Sequence, residues 1–240
     1  MGSLVAQVST DLAMLERLVE SAGKDVVDIG CGGGALVRDL AGQGARMVGV
    51  EISAGQLAPA LARDGASGAR YLVGRAQALP LEDASVDLAV FMRTLHHVPA
   101  GDLIQALREA RRVLREDGAV YVAEPLPKGD YFALTSLVED EEEVRKAAQH
   151  ALAEAWLAGL DRVSSVDYDV RLRIADLAAL RTRVVSVDPE RADVFDSREA
   201  ELTAAFERLG EPDGSGGRSF LQPMRADVLR PIVARVKDAC

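Results

Sequence analysis

Apolar and polar segments alternate along the first half of the chain and predict strands and helices in turn. Runs rich in Val, Leu and Ile predict strands near Asp25–Ile29, Met47–Glu51, Arg70–Val73, Val86–Phe91 and Ala119–Glu124, with helices between them. This alternation is typical of a parallel sheet with right-handed crossovers, which binds ligands at the carboxyl ends of its strands. The residues at such ends are Asp28, Glu51, Arg93 and Glu124.

The flanking segments are more helical. An N-terminal helix is predicted from the spacing of Leu4, Val5, Val8, Leu12, Leu15, Leu18 and Val19. After the fifth strand, Tyr131 to Leu160 contains the acidic run Glu139–Glu143 and an Ala-rich amphipathic stretch, which is either a solvated helical face or a lid. A strand over Asp167–Ile174, helices near Asp176–Val185 and Ser197–Leu209, and a last strand over Ser219–Leu229 follow.

Composition limits the class of protein. With 240 residues and 48% hydrophobic content, the chain can bury the core of one large domain or of one domain with a cap. A net charge of −10 argues against general nucleic-acid binding. The sequence shows neither a bilayer-spanning apolar run nor a secretory pattern, so we expect a cytoplasmic protein. Cys31 and Cys240 predict neither a disulfide framework nor a metal site.

Candidate chemistry begins with the segment Val26–Ala35, which reads Val-Val-Asp-Ile-Gly-Cys-Gly-Gly-Gly-Ala. A strand that runs into a glycine turn and then a helix lets a nucleoside-bearing cofactor approach the main chain. The turn glycines are Gly30, Gly32, Gly33 and Gly34. Gly30, Gly32 and Ala35 also satisfy the dinucleotide-binding pattern, and a tight strand–helix connection alone explains such a turn.

Two acids narrow the choice of cofactor. Glu51 ends the second strand about twenty residues later, where a carboxylate binds adjacent ribose hydroxyls in both candidate cofactor classes. Asp28 ends the first strand, where it would repel a pyrophosphate but attract an ammonium group, unless it is only a solvated acid at a strand end. Together they favour a ligand with a ribose and a cationic end, which S-adenosylmethionine provides.

Five blocks in order then resemble the class I S-adenosylmethionine-dependent methyltransferases, in the small-molecule group related to the quinone methyltransferases. The blocks are Val26–Gly34, Val48–Ser53, Val73–Leu81, Asp87–Phe91 with Leu95–Val98, and Ala110–Ala119. The resemblance implies a Rossmann-like α/β fold: a doubly wound, seven-stranded, mainly parallel sheet with an antiparallel last strand, helices on both faces and a helical insertion after strand five. It implies that the cofactor is bound by Asp28, Gly30, Cys31, Gly32, Glu51, Ile52, Arg75, Ala76, Gln77 and Arg93.

Methyl transfer needs mainly an acceptor held in line with the methyl group in a dry pocket. A general base is needed only if the acceptor must lose a proton. The resemblance places His96 and His97, at the exit of the fourth strand, on the rim that faces the methyl group. His97 is the preferred candidate base by motif position, with structural stacking as the alternative. Glu124 and Tyr131 are further acceptor-side candidates.

Two arginines depart from the family pattern. Arg75 stands where the family usually has an acid that accepts from the adenine amino group, which leaves the backbone at Ala76 and the side chain of Gln77 to recognise the base. Arg93 replaces a small or amide residue and puts a cation near the methyl group. Together they allow an anionic acceptor, unless each guanidinium pairs with Glu51, Asp28 or the cofactor carboxylate.

The sequence therefore predicts a single domain over residues 1–240, with a cofactor-binding half (1–125), a helical lid (126–165) and a C-terminal part (166–240). The expected function is S-adenosylmethionine-dependent methylation of a small molecule, without metal, nucleic-acid or membrane-spanning partners. Two alternatives stay open: an NAD-dependent oxidoreductase, and a non-catalytic nucleoside- or partner-binding protein with the same fold. The acceptor, the attacking atom and the oligomeric state are not fixed by the sequence.

Overall fold

A computed structural model describes residues 7–63 and 68–232. The strands are β1 (Gln7–Val8), β2 (Asp25–Ile29), β3 (Arg46–Glu51), β4 (Arg70–Val73), β5 (Val86–Met92), β6 (Leu114–Pro125), β7 (Leu160–Ile174), β8 (Glu211–Pro212) and β9 (Arg218–Pro231). The helices are α1 (Asp11–Leu18), α2 (Ala35–Gly42), α3 (Ala54–Arg63), α4 (Leu103–Val113), α5 (Asp130–Thr135), α6 (Glu142–Ala153), α7 (Leu177–Val185), α8 (Arg191–Ser197) and α9 (Glu199–Leu209). Single 3₁₀ turns lie at Leu95–His97, Ala100–Asp102 and Ala155–Ala158.

The strands form one mixed sheet in the order β1-β7-β9-β6-β5-β2-β3-β4, with β8 paired to β9. The pairs β4–β3, β3–β2, β2–β5 and β5–β6 are all parallel, and the last strands are antiparallel. The strand order reverses at β2, which has β3 on one side and β5 on the other. This reversal opens a crevice at the carboxyl ends of β2 and β5, the usual ligand position in doubly wound sheets. The predicted Rossmann-like fold is confirmed.

The chain divides into two compact units. The larger unit comprises Asp11–Glu124, Ala147–Val166 and Arg225–Cys240, and the smaller comprises Met1–Thr10, Pro125–Lys146 and Asp167–Met224. In the larger unit, α4 buries Leu103, Ala106, Leu107, Ala110 and Val113 against the sheet, and this spacing places all five on one face of the helix. In the smaller unit, Phe195, Phe206 and Phe220 lie in a core with Leu134, Ile174 and Leu180.

Several predicted elements differ from the structure. The N-terminal helix begins at Asp11 rather than near Leu4, because Val8 belongs to β1; Leu4 and Val5 lie outside the described residues. No helix connects β4 to β5: residues 74–85, all of them described, form a loop. Within residues 7–63 and 68–232 the sheet has nine strands rather than the predicted seven, since the very short β1 and β8 are added.

Boundaries in the second half also differ. β6 begins at Leu114 rather than Ala119, and β7 begins at Leu160, so the end of the predicted helical segment 126–165 is strand. The helix predicted over Ser197–Leu209 is interrupted at Arg198, which separates α8 from α9. Whether residues 126–159, which include α5 and α6, act as a lid stays a prediction. Among the described residues no helix is long and apolar enough to span a bilayer.

Candidate functional site

The glycine turn Gly30–Gly34 joins β2 to α2. Gly30 has a φ of +78°, and a Cβ added to it would lie 2.2 Å from Thr94 Cγ2, so no larger residue fits there. The amides of Gly30 and Cys31 both donate to the Val50 carbonyl oxygen, at 2.7 and 3.1 Å. The turn is therefore held against β3 on one side and close to the end of β5 on the other.

Glu51 ends β3 beside this turn and is 6% exposed. Its Oε2 accepts from the Gly32 amide and its Oε1 from the Ser53 amide, both at 3.0 Å. Ser53 in turn accepts from the Gln56 amide at 3.3 Å and caps the start of α3. Two backbone donors thus hold the Glu51 carboxylate in one orientation next to the glycine turn.

A second carboxylate, Asp28, lies at the end of β2 and is 2% exposed. Burial, with a smaller contribution from the negative charge of Glu51, raises the pKa of Asp28 to about 7. Burial, followed by the charges of Asp28 and Glu51, raises the pKa of the Cys31 thiol to about 12. Cys31 is consequently a packing residue at neutral pH, because its reactive thiolate is almost absent. The two neighbouring carboxylates, when ionised, create a negative electrostatic potential that favours a cationic ligand.

The loop Gly74–Leu81, called the base loop below, follows β4. Its first residue is tied to the Glu51 strand end, since the Gly74 amide donates to the Glu51 carbonyl oxygen at 3.0 Å. Gln77 donates from Nε2 to Asp102 Oδ2 at 3.1 Å. Ile52, which directly follows Glu51, is 61% exposed. The predicted base-recognition residues therefore lie on a loop connected to the predicted ribose-binding acid.

Arg93 leaves β5 with a φ of +56°, an uncommon value for a residue with a side chain. Its Nε donates to Asp11 Oδ2 at 2.8 Å, and both side chains are about one quarter exposed. The alternative that Arg93 pairs with Asp28 or Glu51 is therefore not what the structure shows, since its partner is Asp11 of α1.

The two histidines at the end of β5 have different surroundings. His96 is 5% exposed, and its Nδ1 contacts Glu124 Oε2. His97 is exposed, and its ring centroid lies 4.0 Å from that of His96. His97 is thus the more exposed of the two, whereas His96 is buried against Glu124.

Glu124, at the end of β6, organises the turn Thr94–His97, called the exit turn below. Its Oε1 accepts from the amides of Thr94 and Leu95 at 2.9 and 2.7 Å, and Oε2 accepts from the His96 amide at 3.4 Å. With 1% exposure, Glu124 holds the backbone rather than facing a ligand. In the smaller unit, Tyr131 accepts from Arg183 Nε through its hydroxyl at 3.1 Å.

Comparison with known proteins agrees with this geometry. Residues 27–122 match the family model described as a methyltransferase domain. A putative methyltransferase from Bacillus halodurans superposes with a TM-score of 0.63 over 92% of this chain and 98% of its own, at 19% identity. Residues 27–122 therefore form a methyltransferase domain.

Part of the chain is also similar in sequence to curated proteins. The ubiquinone biosynthesis O-methyltransferase of Burkholderia orbicola is 32% identical over 141 residues, which cover 50% of this chain and 61% of the relative. An uncharacterised 37.1 kDa protein in a transposon of Streptomyces fradiae is 36% identical over 141 residues, which cover 57% of this chain and 39% of the relative. The chain thus spans only part of the length of these relatives.

The structure adds residues to the site of the methyltransferase domain that the sequence did not single out. They are Asp11, Ser53, Thr94 and Asp102. Ser53 had a local signal, because a serine before a helix is a common cap. The pairing of Asp11 with Arg93 joins residues that are 82 positions apart and has no local signal.

Proposed function

We propose that the chain is an S-adenosylmethionine-dependent methyltransferase that acts on a small-molecule acceptor by in-line transfer. The observation that carries this proposal is the pair of buried carboxylates, Asp28 and Glu51, on either side of a glycine turn. A ligand with a ribose and an ammonium group satisfies both acids. A dinucleotide would instead bring its pyrophosphate into a field of two negative charges.

The residues present fit this cofactor. Glu51 would accept from the ribose hydroxyls, since its carboxylate is already oriented by two backbone amides. Asp28 would accept from the ammonium group, and the base loop would bind the adenine together with Ile52. Gly30, Cys31 and Gly32 provide the main chain along the ligand. When bound, the sulfonium supplies an electrophilic methyl group.

For an acceptor that loses a proton, we assign the general base to His97. Its ring is exposed, while the Glu124–His96 contact and the exit-turn hydrogen bonds keep its backbone in place. A neutral imidazole near physiological pH can take such a proton. Arg93 would bring a positive charge to the same rim, so we include anionic acceptors among the candidates. Residues 126–159 are our candidate for a lid, and location in the cytoplasm stays a prediction.

Calorimetric titration of the purified protein with S-adenosylmethionine, S-adenosylhomocysteine and NAD tests the cofactor assignment. We expect binding of the first two with dissociation constants at least tenfold lower than that of NAD. Tighter binding of NAD would overturn the proposal in favour of an oxidoreductase. The acceptor is then sought with methyl-labelled cofactor against phenols, carboxylic acids and amines. Hydroxyl acceptors come first, because several relatives are named as O-methyltransferases.

A non-catalytic nucleoside-binding protein is the remaining alternative. It would bind both adenosyl ligands but transfer no label to any acceptor class. Slow hydrolysis of labelled cofactor would not distinguish a methyltransferase from such a binding protein. Methyl transfer must therefore be measured on an isolated methylated product.

A further inference from the structure

The base loop is closed and anchored at both of its ends. At its start, Gly74 donates to the Glu51 carbonyl oxygen, and a Cβ added to Gly74 would lie 2.6 Å from Pro80 Cδ. In the middle, the Ala78 amide donates to the Arg75 carbonyl oxygen at 3.1 Å. The two ends of the loop therefore lie against each other, and its tip contains Ala76 and Gln77.

Two side chains of α4 hold the far end of the loop. Glu109 accepts from the Leu79 amide at 2.9 Å, and Arg112 donates to the Leu79 and Leu81 carbonyl oxygens at 3.1 and 2.8 Å. Glu109 and Arg112 also bond to each other, at 2.8 and 2.7 Å. The hydrogen bond from Arg112 holds the pKa of Glu109 below its usual range, so this acceptor is ionised at neutral pH. The loop is preorganised by the protein itself.

The amide of Gln77 has a defined orientation within this fixed loop. Its Nε2 donates to Asp102 Oδ2 at 3.1 Å. A carboxylate can only accept hydrogen bonds, so the NH₂ end of the amide must face Asp102 and the oxygen end must face away. Among the described residues, none donates a hydrogen bond to Gln77 Oε1. The base loop thus presents one carbonyl oxygen as an oriented, open acceptor.

We propose that Gln77 Oε1 accepts from the 6-amino group of the adenine and that Asp102 is the positioning residue that keeps this oxygen turned toward the base. The inference rests on the proposed function. Arg75 occupies the position where an acceptor is expected, but a guanidinium carries donors only and cannot accept from an amino group. Gln77 supplies the missing acceptor, and Asp102 selects which end of its amide is offered.

Replacing the adenine amino group with a carbonyl oxygen tests this assignment. We would titrate S-adenosylhomocysteine and S-inosylhomocysteine calorimetrically into the wild type, Gln77→Ala and Asp102→Asn. The wild type should prefer the adenosyl ligand by about tenfold, because the inosyl ligand leaves Gln77 Oε1 facing another acceptor. Gln77→Ala should reduce this preference to about threefold or less. Asp102→Asn should do the same, since an asparagine no longer forces the amide orientation.

Two further variants separate positioning from folding. Asp117→Asn makes the same change at an exposed position of β6 and should keep the wild-type preference. The double variant Gln77→Glu with Asp102→Asn exchanges donor and acceptor, so it should restore the preference that Asp102→Asn loses. Thermal melting should show little change for Asp102→Asn, because the Asp102 side chain makes no capping hydrogen bond at the start of α4 that the exchange could remove.

The outcomes are distinguishable from those of the proposed function. If the wild type binds neither adenosyl ligand, the proposed function fails. A second outcome is that the wild type binds S-adenosylhomocysteine, but Gln77→Ala and Asp102→Asn each weaken the affinity for both ligands by the same factor. The base loop is then only structural, and the role of Gln77 is overturned. An unchanged preference in Gln77→Ala overturns it as well.

Discussion

The imidazole of His96 contacts the carboxylate of Glu124, and both side chains are almost completely buried. Because the same carboxylate accepts from the amides of Thr94 and Leu95, one acidic side chain fixes both the backbone and the histidine at the end of β5. His96 is thereby occupied by the protein, and the adjacent His97 is the histidine that stays exposed. The two neighbouring histidines thus differ, since His96 is buried against Glu124 and His97 is exposed.

The first prediction concerns this carboxylate. Glu124→Ala leaves several buried donors of the exit turn without an acceptor and should lower the free energy of unfolding by at least about 3 kcal/mol. Denaturant unfolding measures the change. Glu124→Gln, which keeps one acceptor oxygen, should lose clearly less stability, and Glu154→Ala, directly after α6, should be nearly neutral because Glu154 is 42% exposed. Equal losses in the Ala and Gln variants would contradict the role of the oxygen atoms.

The second prediction concerns the ribose acid. Glu51→Ala should weaken S-adenosylhomocysteine binding by about 1 to 3 kcal/mol, because two hydroxyl donors of the ligand lose their acceptor. The Gly32 and Ser53 amides lose the same acceptor, so melting temperature must be followed beside calorimetry. Glu51→Gln separates the two effects, since an amide retains one acceptor. Near-wild-type affinity in a folded Glu51→Ala variant would remove the central assignment.

The fold class and the proximity of Asp28 and Glu51 could be predicted from the sequence for one physical reason. Strand ends of a parallel sheet meet at one edge, so an acid at the end of β2 and an acid at the end of β3 must lie together, and Asp28 and Glu51 do, while their role toward a ligand stays a prediction. The sequence pattern predicts only the second half of β7, because residues 161–167 are mostly exposed and show no alternation of apolar and polar residues. Contacts such as Arg93 with Asp11 depend on long-range packing, which local patterns do not encode.

The third prediction tests the glycine turn with a matched control. Gly32 and Gly23 both have positive φ, at +50° and +72°, and an added Cβ meets no heavy atom closer than 3.8 Å at either position. Alanine at either site should therefore cost about 1 kcal/mol of stability through backbone strain. Only Gly32→Ala should also weaken S-adenosylhomocysteine binding, because only Gly32 lies beside Glu51. Equal affinities in the two variants would place the ligand elsewhere.

The fourth prediction uses the raised pKa of Asp28, about 7 against the ordinary value of 3.8 for an aspartate. The folded state holds this proton more tightly than the unfolded state, so the stability it contributes is complete below pH 3.8 and is lost as pH rises through 7. Asp28→Asn should therefore melt at a higher temperature than the wild type at pH 8, and this difference should shrink steadily as the pH is lowered toward 4. The exposed Asp39→Asn should show no such difference.

Ligand affinity should respond to Asp28 in the opposite direction. An ammonium group binds the ionised carboxylate, so wild-type affinity for S-adenosylhomocysteine should rise about tenfold from pH 6 to pH 8. Asp28→Asn should bind more weakly at pH 8 and lose this dependence. Calorimetry at the two pH values measures both effects, and a pH-independent wild type would rule out Asp28 as the ammonium partner.

The last prediction separates a proton-transfer role of His97 from a shaping role, once an acceptor is known. If His97 is the base, His97→Ala should lower turnover by about 100-fold or more while cofactor affinity stays nearly constant, because a general base acts in the transition state. The wild-type rate should fall at acid pH, since only the neutral imidazole accepts a proton, and the variant should lose this acid limb of the pH profile. His150→Ala, at the exposed histidine of α6, is the matched control and should leave the profile unchanged. Arg93→Ala, measured beside it, should raise KM for anionic acceptors more than for neutral ones. An unchanged pH profile in His97→Ala would leave positioning as its role, and a collapse of cofactor affinity would assign His97 to the cofactor pocket.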